Sequence, residues 1–274
     1  MYAFIHIPKT GGTTINFILR GSFGWHHCDI ESIESRFQEV SQSDIDLIQQ
    51  FYPKIYSIAG HRVVPYSNLE ELKESIQYYT FFRDPVKRCA SFFQFRQERT
   101  KETLSFMDWI KYKYVNDGQT LKIAGERDLE LAKEMIVEKD IFTGLTEFFD
   151  ESLKLLHHLY IPELNITYAR KNTAVDNRIK NELITNPETR EMILEANQLD
   201  LKLFEWVKEK RLPLYRKKME MKIIANQERL TYDTRRGINL FVNRLYRNII
   251  YKPLLFLYRK KYLYSTFNDS FGKS

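Results

Sequence analysis

The sequence has little cysteine and no long apolar run, and both absences limit the kind of protein it encodes. Its two cysteines, Cys28 and Cys89, have no CxxC spacing and are too few for a disulfide framework, so we interpret them as reduced thiols. No apolar run reaches the roughly 20 residues of a membrane-spanning helix. The amino terminus lacks the basic and then apolar pattern of a secretory signal. We therefore expect a cytoplasmic protein.

Internal repeats and flexible linkers are also absent. No segment recurs with a period of about 20 to 50 residues, which argues against solenoids and propellers. With 274 residues, of which 43% are hydrophobic, the chain is long enough to bury a full core. The sequence predicts one main domain over residues 1–212. A basic, mostly helical extension over 213–274 is expected to pack on that domain or to be appended to it.

The positive charge is concentrated in that extension. The formal net charge is +6, but residues 1–212 contain 28 lysines and arginines against 32 acidic residues, whereas residues 213–274 contain 14 against 4. Between Phe241 and Ile250, apolar residues alternate in pairs with asparagine and arginine, which predicts a helix with one apolar and one basic face. We expect the apolar face to pack on the body. The alternative is a peripheral contact with a membrane or an anionic polymer.

Strand-like and helical segments alternate through the first half of the chain. Short β-branched and aromatic runs, each followed by turn or helix signals, cover residues 2–7, 54–59, 77–82 and 141–144. Helices are predicted at 14–20 and from Pro85, with Asp84 as the cap, to about residue 97. Residues 176–230 are helical in composition. This alternation predicts an α/β fold, a P-loop-like parallel β-sheet flanked by helices with a helix-rich carboxyl-terminal half.

The first predicted strand leads through the turn Pro8-Lys9-Thr10-Gly11-Gly12-Thr13-Thr14 directly into a helix. Such a turn directs unpaired backbone N–H groups at one point, where the helix dipole adds positive charge. The glycines let the backbone approach a ligand, the threonine hydroxyls add donors, and Lys9 adds a full charge. The turn therefore suits a phosphate- or sulfate-like group, and the alternative is a plain tight turn with a surface lysine. It is not a Walker A motif, because its lysine precedes the glycines.

A second candidate anion-binding motif follows the strand at 77–82. Arg83 lies at the end of that strand, and Ser91 lies about two turns into the next helix, so both side chains can converge on one anionic group. The alternative is an ordinary salt bridge between Arg83 and a nearby carboxylate. The two motifs in this order, on successive strand ends, are more specific than either motif alone.

Together these motifs resemble those of a known enzyme family. The stretch IPKTGGTT resembles the 5′-phosphosulfate loop, and RDPVKRCASF the 3′-phosphate motif, of sulfotransferases that use 3′-phosphoadenosine 5′-phosphosulfate (PAPS). IPKTGGT in particular is similar to carbohydrate sulfotransferases of the heparan sulfate 2-O-sulfotransferase type and their bacterial relatives. Looser similarities, such as YARKNTA, extend the resemblance over about residues 2–212. No counterpart of the family's membrane anchor is evident, so a Golgi location is not expected.

The resemblance implies a role for each matching residue. Lys9 would contact the sulfate and the bridging oxygen. The 5′-phosphate would be held by the rest of the turn, namely Thr10, Gly11, Gly12, Thr13 and Thr14. Arg83 and Ser91 would hold the 3′-phosphate, and Arg170 and Lys171 would lie over the nucleotide or be solvated loop charges. No metal is required, because a sulfuryl group carries less negative charge than a terminal phosphoryl group and protein cations can neutralise it.

Transfer to a hydroxyl also needs a general base. His61, in the stretch YSIAGHRVV, follows the strand at 54–59, on the edge where such sheets bind ligands. The Gly-His pair resembles the position of the family's histidine base, and an imidazole pKa near 6.5 suits that role. The alternatives are a structural or substrate-orienting His61 and a carboxylate base from Glu31 or Glu34.

Other histidines are weaker candidates. His6 lies inside the first predicted strand and is expected to be a buried, hydrogen-bonded residue. His157 and His158 are predicted on a helix that faces away from the strand ends. The stretch His26-His27-Cys28 lacks a second ligand pair, so we do not expect a metal site there.

The combined pattern predicts an O-sulfotransferase that moves a sulfuryl group from PAPS to a hydroxyl of a carbohydrate-like acceptor. A nucleotide-binding protein without transfer chemistry and a kinase-like phosphotransferase are the alternatives on the same fold. No nucleic-acid partner is expected, because the basic tail has no recognition motif. Four basic residues would favour an anionic glycan or be solvated charges, namely Arg62, Arg96, Arg99 and Lys101.

Overall fold

A five-stranded, all-parallel sheet forms the centre of the molecule. The computed structural model describes residues 1–31, 39–52, 54–67, 69, 76–100, 104–112, 115–167, 177–225 and 236–260. The strands are β1 (Tyr2–Ile5), β2 (His27–Asp29), β3 (Ser57–Gly60), β4 (Gln77–Phe82) and β5 (Phe142–Leu145). Their order across the sheet is β2-β3-β1-β4-β5.

The central strand, β1, determines where a ligand can bind. Ala3 of β1 pairs with Ile58 of β3 on one side and with Tyr78 of β4 on the other, and a strand buried in this way is typical of a parallel sheet covered by helices. The chain leaves β1 towards β2 on one side of the sheet, whereas it leaves β4 towards β5 on the other. Open α/β sheets bind ligands at such a switch point, outside the carboxyl ends of the strands.

Helices flank this sheet and make up most of the second half of the chain. The first half contains α1 (Gly12–Phe23), α2 (Gln42–Phe51), α3 (Pro85–Thr100), α4 (Phe106–Trp109), α5 (Gly118–Ala124) and α6 (Leu129–Glu138). The second half contains α7 (Phe149–Leu159), α8 (Arg178–Thr185), α9 (Pro187–Ala196), α10 (Gln198–Trp206), α11 (Leu212–Ala225) and α12 (Arg236–Tyr246). Short π-helical segments follow α10 (Val207–Arg211) and α12 (Arg247–Tyr251). The predicted α/β fold is confirmed.

The predicted strands correspond to β1, β3, β4 and β5, and β4 has the predicted bounds. The start of α3 is also as predicted, because Asp84 Oδ1 accepts a hydrogen bond from the Lys87 N–H at 2.9 Å. β2 lacks a sequence signal, since it has three residues and two of them, His27 and Asp29, are polar. It pairs with β3 alone. His27 is nevertheless buried, and its Nδ1 lies 3.0 Å from the Ser57 hydroxyl.

A small hydrophobic cluster holds two later helices against α3. Phe93 of α3 packs against Trp109 of α4, with ring centroids 5.2 Å apart. Leu183 of α8 and Ile193 of α9 belong to the same cluster. The backbone N–H of Lys180 in α8 donates to Gln94 Oε1 at 3.1 Å. This packing brings a part of the chain about 90 residues downstream back onto α3.

The helical stretch 198–225 runs from α10 through the π-helical segment into α11. Tyr215 of α11 is fully buried. Its hydroxyl donates to the Ile141 carbonyl at 3.3 Å and accepts from the Thr143 N–H at 3.2 Å. The predicted limit between residues 212 and 213 lies inside this stretch, and the division into two parts stays a prediction.

α12 packs on the body through its polar residues. Asn239 donates to the carbonyls of Gly21 and Ser22, at 3.0 and 3.1 Å. Asn243, only 2% exposed, donates to the carbonyls of Gly24 and His27, at 2.7 and 3.0 Å. These side chains satisfy backbone carbonyls at the end of α1 and in the segment that follows it, which is why the polar face turns inward.

The expectation that the apolar face packs on the body is therefore wrong for much of that face. Phe241, Leu245 and Ile249 are exposed, whereas Tyr246 and Tyr251 pack against Tyr52. Among the described residues, no helix is long and apolar enough to cross a membrane.

Candidate active site

The turn after β1 reverses sharply because two of its residues adopt left-handed backbone conformations. Lys9 has a φ of 70° and Gly11 a φ of 87°, a region that glycine adopts without steric cost and other residues seldom adopt. α1 begins at Gly12, with no side-chain cap at Gly11 and no acidic residue in its first turn. The start of α1 therefore offers N–H groups and the positive end of the helix dipole beside Lys9.

The three threonines of this turn differ in access. Thr10 is fully buried, and its hydroxyl donates to the Ile7 carbonyl at 2.9 Å, so it stabilises the turn itself. Thr14 is buried in the first turn of α1, and Thr13 is exposed. Thr13 is thus the hydroxyl of the three that is most accessible to a ligand.

Thr146, just after β5, connects the turn to the neighbouring strand. Its hydroxyl lies 3.1 Å from the Thr10 carbonyl and 3.0 Å from the Phe82 carbonyl. Phe82 is the last residue of β4. The carboxyl ends of β1, β4 and β5 are therefore fixed relative to one another at the predicted ligand edge.

Arg83 lies directly beside the Lys9 turn. Its Nη1 donates to the Lys9 carbonyl at 3.0 Å. Its backbone N–H donates to Gln119 Oε1 and its carbonyl accepts from Gln119 Nε2, both at 2.9 Å. Among the described residues no carboxylate lies within ion-pair distance of Arg83, although burial lowers its pKa and the nearby carboxylates of Glu147 and Asp84 partly offset that shift. Ser91 lies on α3, half-buried and two turns beyond Arg83.

A buried ion pair supports the helix that carries Gln119. Asp200, fully buried at the start of α10, lies 3.3 Å from Arg88 Nη2. Its carboxylate also accepts from the N–H groups of Gln119 and Thr120 at the start of α5, at 2.8 to 3.0 Å. In return, Asp117 accepts from the N–H of Asp200 at 3.0 Å. α5 and α10 therefore cap each other, and this arrangement positions Arg83.

Positive charges from several elements crowd the space around the turn. Burial lowers the pKa of Lys9, and nearby Arg83 lowers it further. Burial also lowers the pKa of Lys180 in α8, and Arg83 and Lys87 add to that shift. We call Lys9, Arg83, Lys87 and Lys180 the cation cluster. Mutual repulsion at a partly desolvated site is the electrostatic condition that a bound anion relieves.

Lys180 has no signal in the sequence, since a lysine on an amphipathic helix reads as a solvated charge. The hydrophobic contacts between α8 and α3 bring Lys180 to the site. Lys9 also contacts α3, where its Nζ lies 4.3 Å from the centre of the Phe95 ring. The guanidinium carbon of Arg99 lies 4.7 Å from the same ring, so Phe95 holds two cations by cation–π contact.

His61 lies on the other side of β1 from Arg83, just after β3. Its Nδ1 lies 2.9 Å from the His6 carbonyl. A carbonyl only accepts, so Nδ1 carries the hydrogen and Nε2 of a neutral ring is the proton acceptor. Although the side chain is exposed, the surrounding protein desolvates it and lowers its pKa below 6.5, and Lys122 and Arg62 contribute to the shift. His61 is therefore neutral at pH 7.

His6 and Lys122 surround His61. The His6 and His61 rings stack with centroids 4.0 Å apart, and burial together with the His61 charge lowers the pKa of His6 to about 3. Gly12 leaves room for His6, because a Cβ on Gly12 would lie 1.9 Å from His6 Nε2. Lys122 Nζ donates to the His61 carbonyl. Burial, and then Arg62, lower the pKa of Lys122 to about 8.

Four of the sequence candidates, Arg170, Lys171, Glu34 and Lys101, lie outside the described residues. Glu31 is 3.4 Å from Arg259 of the tail, so the tail engages this candidate base. No known protein-family model matches the chain, and no curated protein sequence matches it either.

Proposed function

We propose that the protein is a PAPS-dependent O-sulfotransferase that acts on a hydroxyl of a carbohydrate-like acceptor. The observation that carries the proposal is the contact between the two predicted anion sites, in which Arg83 Nη1 donates to the Lys9 carbonyl at 3.0 Å. Two anion sites that meet at the switch point of the sheet suit one ligand with two anionic ends. The resemblance of both motifs to the sulfotransferase family favours a bisphosphorylated nucleotide as that ligand.

The residues at this edge fit such a ligand. PAPS supplies the activated sulfuryl group when it is bound. Lys9 and the start of α1 would hold its 5′-phosphosulfate, and Arg83 and Ser91 its 3′-phosphate. The lowered pKa values of Lys9 and Lys180 support this assignment, because burial and the neighbouring Arg83 both disfavour their charged forms, and a bound anion would favour them.

His61 is suited to remove the proton of the acceptor hydroxyl. Its Nδ1–H is engaged with the His6 carbonyl at 2.9 Å, which leaves Nε2 as the accepting atom. Its lowered pKa keeps the ring neutral at pH 7. Lys9, on the adjacent strand end, would stabilise the charge that develops on the departing oxygen. Proton removal and charge neutralisation are thus provided by residues on neighbouring strands.

Calorimetry with adenosine 3′,5′-bisphosphate tests the binding part of the proposal. We expect the wild-type protein to bind it and Arg83→Ala to bind at least about tenfold more weakly, because a charge-assisted bond to phosphate is lost. Arg216→Ala is the matched control, since that arginine pairs with Glu151 on α7 at 2.6 Å. No heat with the wild-type protein, or equal affinity in Arg83→Ala, would contradict the proposal.

Turnover with labelled PAPS and a panel of glycans and small alcohols tests the chemical part. We expect His61→Ala to lose about 100- to 10,000-fold in rate while its affinity for the bisphosphate is kept. His158→Ala on α7 is the control histidine. Binding without turnover on any acceptor would favour a nucleotide-binding protein. Magnesium-dependent transfer from ATP would favour a kinase-like phosphotransferase.

A further inference from the structure

The helix at the carboxyl-terminal end of the described chain exposes a row of large apolar side chains. The row, which we call the C-terminal stripe, consists of Ile238, Phe241, Leu245, Ile249 and Phe256. Their exposed fractions run from 48% for Leu245 to 68% for Ile238. The first four are spaced three or four residues apart, which places them on one side of a helix. A contiguous exposed row of this kind marks an interaction surface and not a scatter of single residues.

The opposite side of this helix is fixed to the body, so the stripe cannot turn inward without breaking polar contacts. Asn239 and Asn243 bond to four backbone carbonyls. Arg247 lies 3.1 Å from Asp29, a carboxylate that also pairs with Arg20 at 2.7 Å. Tyr251 is buried and lies beside Tyr52. The outward orientation of the stripe is therefore a property of the packed structure.

Basic and aromatic residues accompany the stripe. Lys252, in line with it between Ile249 and Phe256, is exposed, as are Arg244 and Lys260 on the same helix. Trp25 is 56% exposed and lines a shared cavity with Tyr246 of α12. Exposed lysines whose alkyl stems cover apolar surface, and tryptophans beside them, are typical of the boundary between lipid and water.

We propose that the C-terminal stripe binds the surface of a membrane that contains anionic lipids. An amphipathic helix with large apolar residues on one side and lysine and arginine around them lies in the headgroup region, with its apolar side chains inserted. The net positive charge of residues 213–274, with 14 basic against 4 acidic residues, complements an anionic leaflet.

Charge also distinguishes this partner from the other occupants of such a surface. Two copies of this chain would bring two basic tails together, and like charges in an interface oppose association. A nucleic acid would satisfy the charge but would leave the exposed phenylalanines and isoleucines against phosphates. A bilayer surface with anionic headgroups satisfies both the charge and the apolar side chains.

Vesicle co-sedimentation of the full chain tests this inference. We expect binding to vesicles of phosphatidylcholine with about one-third phosphatidylglycerol, weaker binding to phosphatidylcholine alone, and loss of binding as salt is raised. Phe241→Ser/Ile249→Ser should bind at least about tenfold more weakly. Arg244→Gln/Lys252→Gln should show a smaller preference for phosphatidylglycerol than the wild-type protein, because two of the basic residues beside the stripe are removed. Because all four side chains are exposed, thermal unfolding should stay unchanged.

Val137→Ser/Leu214→Ser is the matched control, because both residues are exposed and apolar but lie on α6 and α11. Its binding should equal that of the wild-type protein. Wild-type protein that stays in the supernatant with phosphatidylglycerol vesicles overturns the inference, as does a stripe variant that binds normally. A wild-type dimer that Phe241→Ser/Ile249→Ser dissociates would assign the surface to a second copy. Bisphosphate calorimetry on the same variants reports separately on the proposed nucleotide site.

Discussion

Asp200→Asn changes one atom of the buried ion pair that holds α3, α5 and α10 together. Asp200 has no exposed surface and Arg88 is 2% exposed, with Nη2 and Oδ2 3.3 Å apart. The amide keeps the shape of the carboxylate but removes its charge. It also replaces one accepting oxygen with a donor, in a site where the N–H groups of Gln119 and Thr120 and the Thr120 hydroxyl all donate. The guanidinium of Arg88 would then be buried without the carboxylate with which it pairs.

Breaking a buried pair by removing one partner typically costs about 3 to 5 kcal/mol. The loss should approach the upper end of this range, because the carboxylate also caps α5 through two backbone N–H groups. Chemical denaturation measures the free energy of unfolding. Glu151→Gln is the control, since its pair with Arg216 has side chains 38% and 46% exposed, and we expect it to cost less than about 1 kcal/mol.

A second readout links this network to the candidate site. Gln119 holds the backbone of Arg83 with two hydrogen bonds, so loosening α5 should weaken bisphosphate binding under conditions where Asp200→Asn is still folded. In a double-mutant cycle, Arg88→Met and Asp200→Asn should be non-additive by about 1 kcal/mol or more. A loss of stability in Asp200→Asn no larger than that in Glu151→Gln, or simple additivity of Arg88→Met and Asp200→Asn, would contradict this prediction.

Two further predictions concern the residues around His61. Gly12→Ala should destabilise the protein by about 1 to 3 kcal/mol, because its Cβ would lie 1.9 Å from His6 Nε2. Gly237→Ala, with nothing within 4 Å, should be neutral or stabilising, and equal denaturation curves for the two variants would refute the prediction. The folded-state pKa of His6 is lowered from 6.5 to about 3, so the unfolded chain binds a proton that the folded protein excludes. Stability should therefore fall as pH drops from about 6.5 towards 3. His6→Phe should reduce the loss of unfolding free energy between about pH 7.5 and 5, and an unchanged loss would contradict the assignment.

The parts of the site that the sequence predicts are those encoded by adjacent residues. The Lys9 turn is a strand end, two glycines and a helix start within a few positions, and Arg83 follows a strand whose bounds are as predicted. Parallel strands present all their carboxyl ends at one edge. The adjacency of β1 and β4 in the sheet then places Lys9 next to Arg83.

The supporting residues could not be predicted because their partners are far away in the chain. Asp200 binds groups about 80 and 112 positions earlier, and nothing in its neighbourhood distinguishes it from a solvated carboxylate on a helix. Lys180 reaches the cation cluster only because α8 packs on α3. β2 could not be predicted for a different reason. Its polar residues are stabilised by pairing with β3, so the strand has no hydrophobic pattern in the sequence.

The tail shows that an amphipathic pattern identifies a helix and not the face it buries. Hydrophobic periodicity assigns the apolar side to the core by default. Here backbone carbonyls at the end of α1 and just after it accept hydrogen bonds from the side chains of Asn239 and Asn243, and Asp29 binds Arg247. A buried carbonyl left without a donor costs about as much as burying a large apolar side chain gains. Four backbone carbonyls, together with the Asp29 carboxylate, therefore decide the orientation of the helix.

The cation cluster links anion binding at the candidate site to the stability of the folded protein. Burial, and then the charge of Arg83, lower the pKa values of Lys9 and Lys180, which means that keeping these two lysines charged at this position opposes folding. The hydrogen bonds of Gln119 and the Asp200 network offset that cost. An anion bound beside these cations would favour their charged forms without disturbing those supports, so the proposed ligand should stabilise the folded protein through linkage.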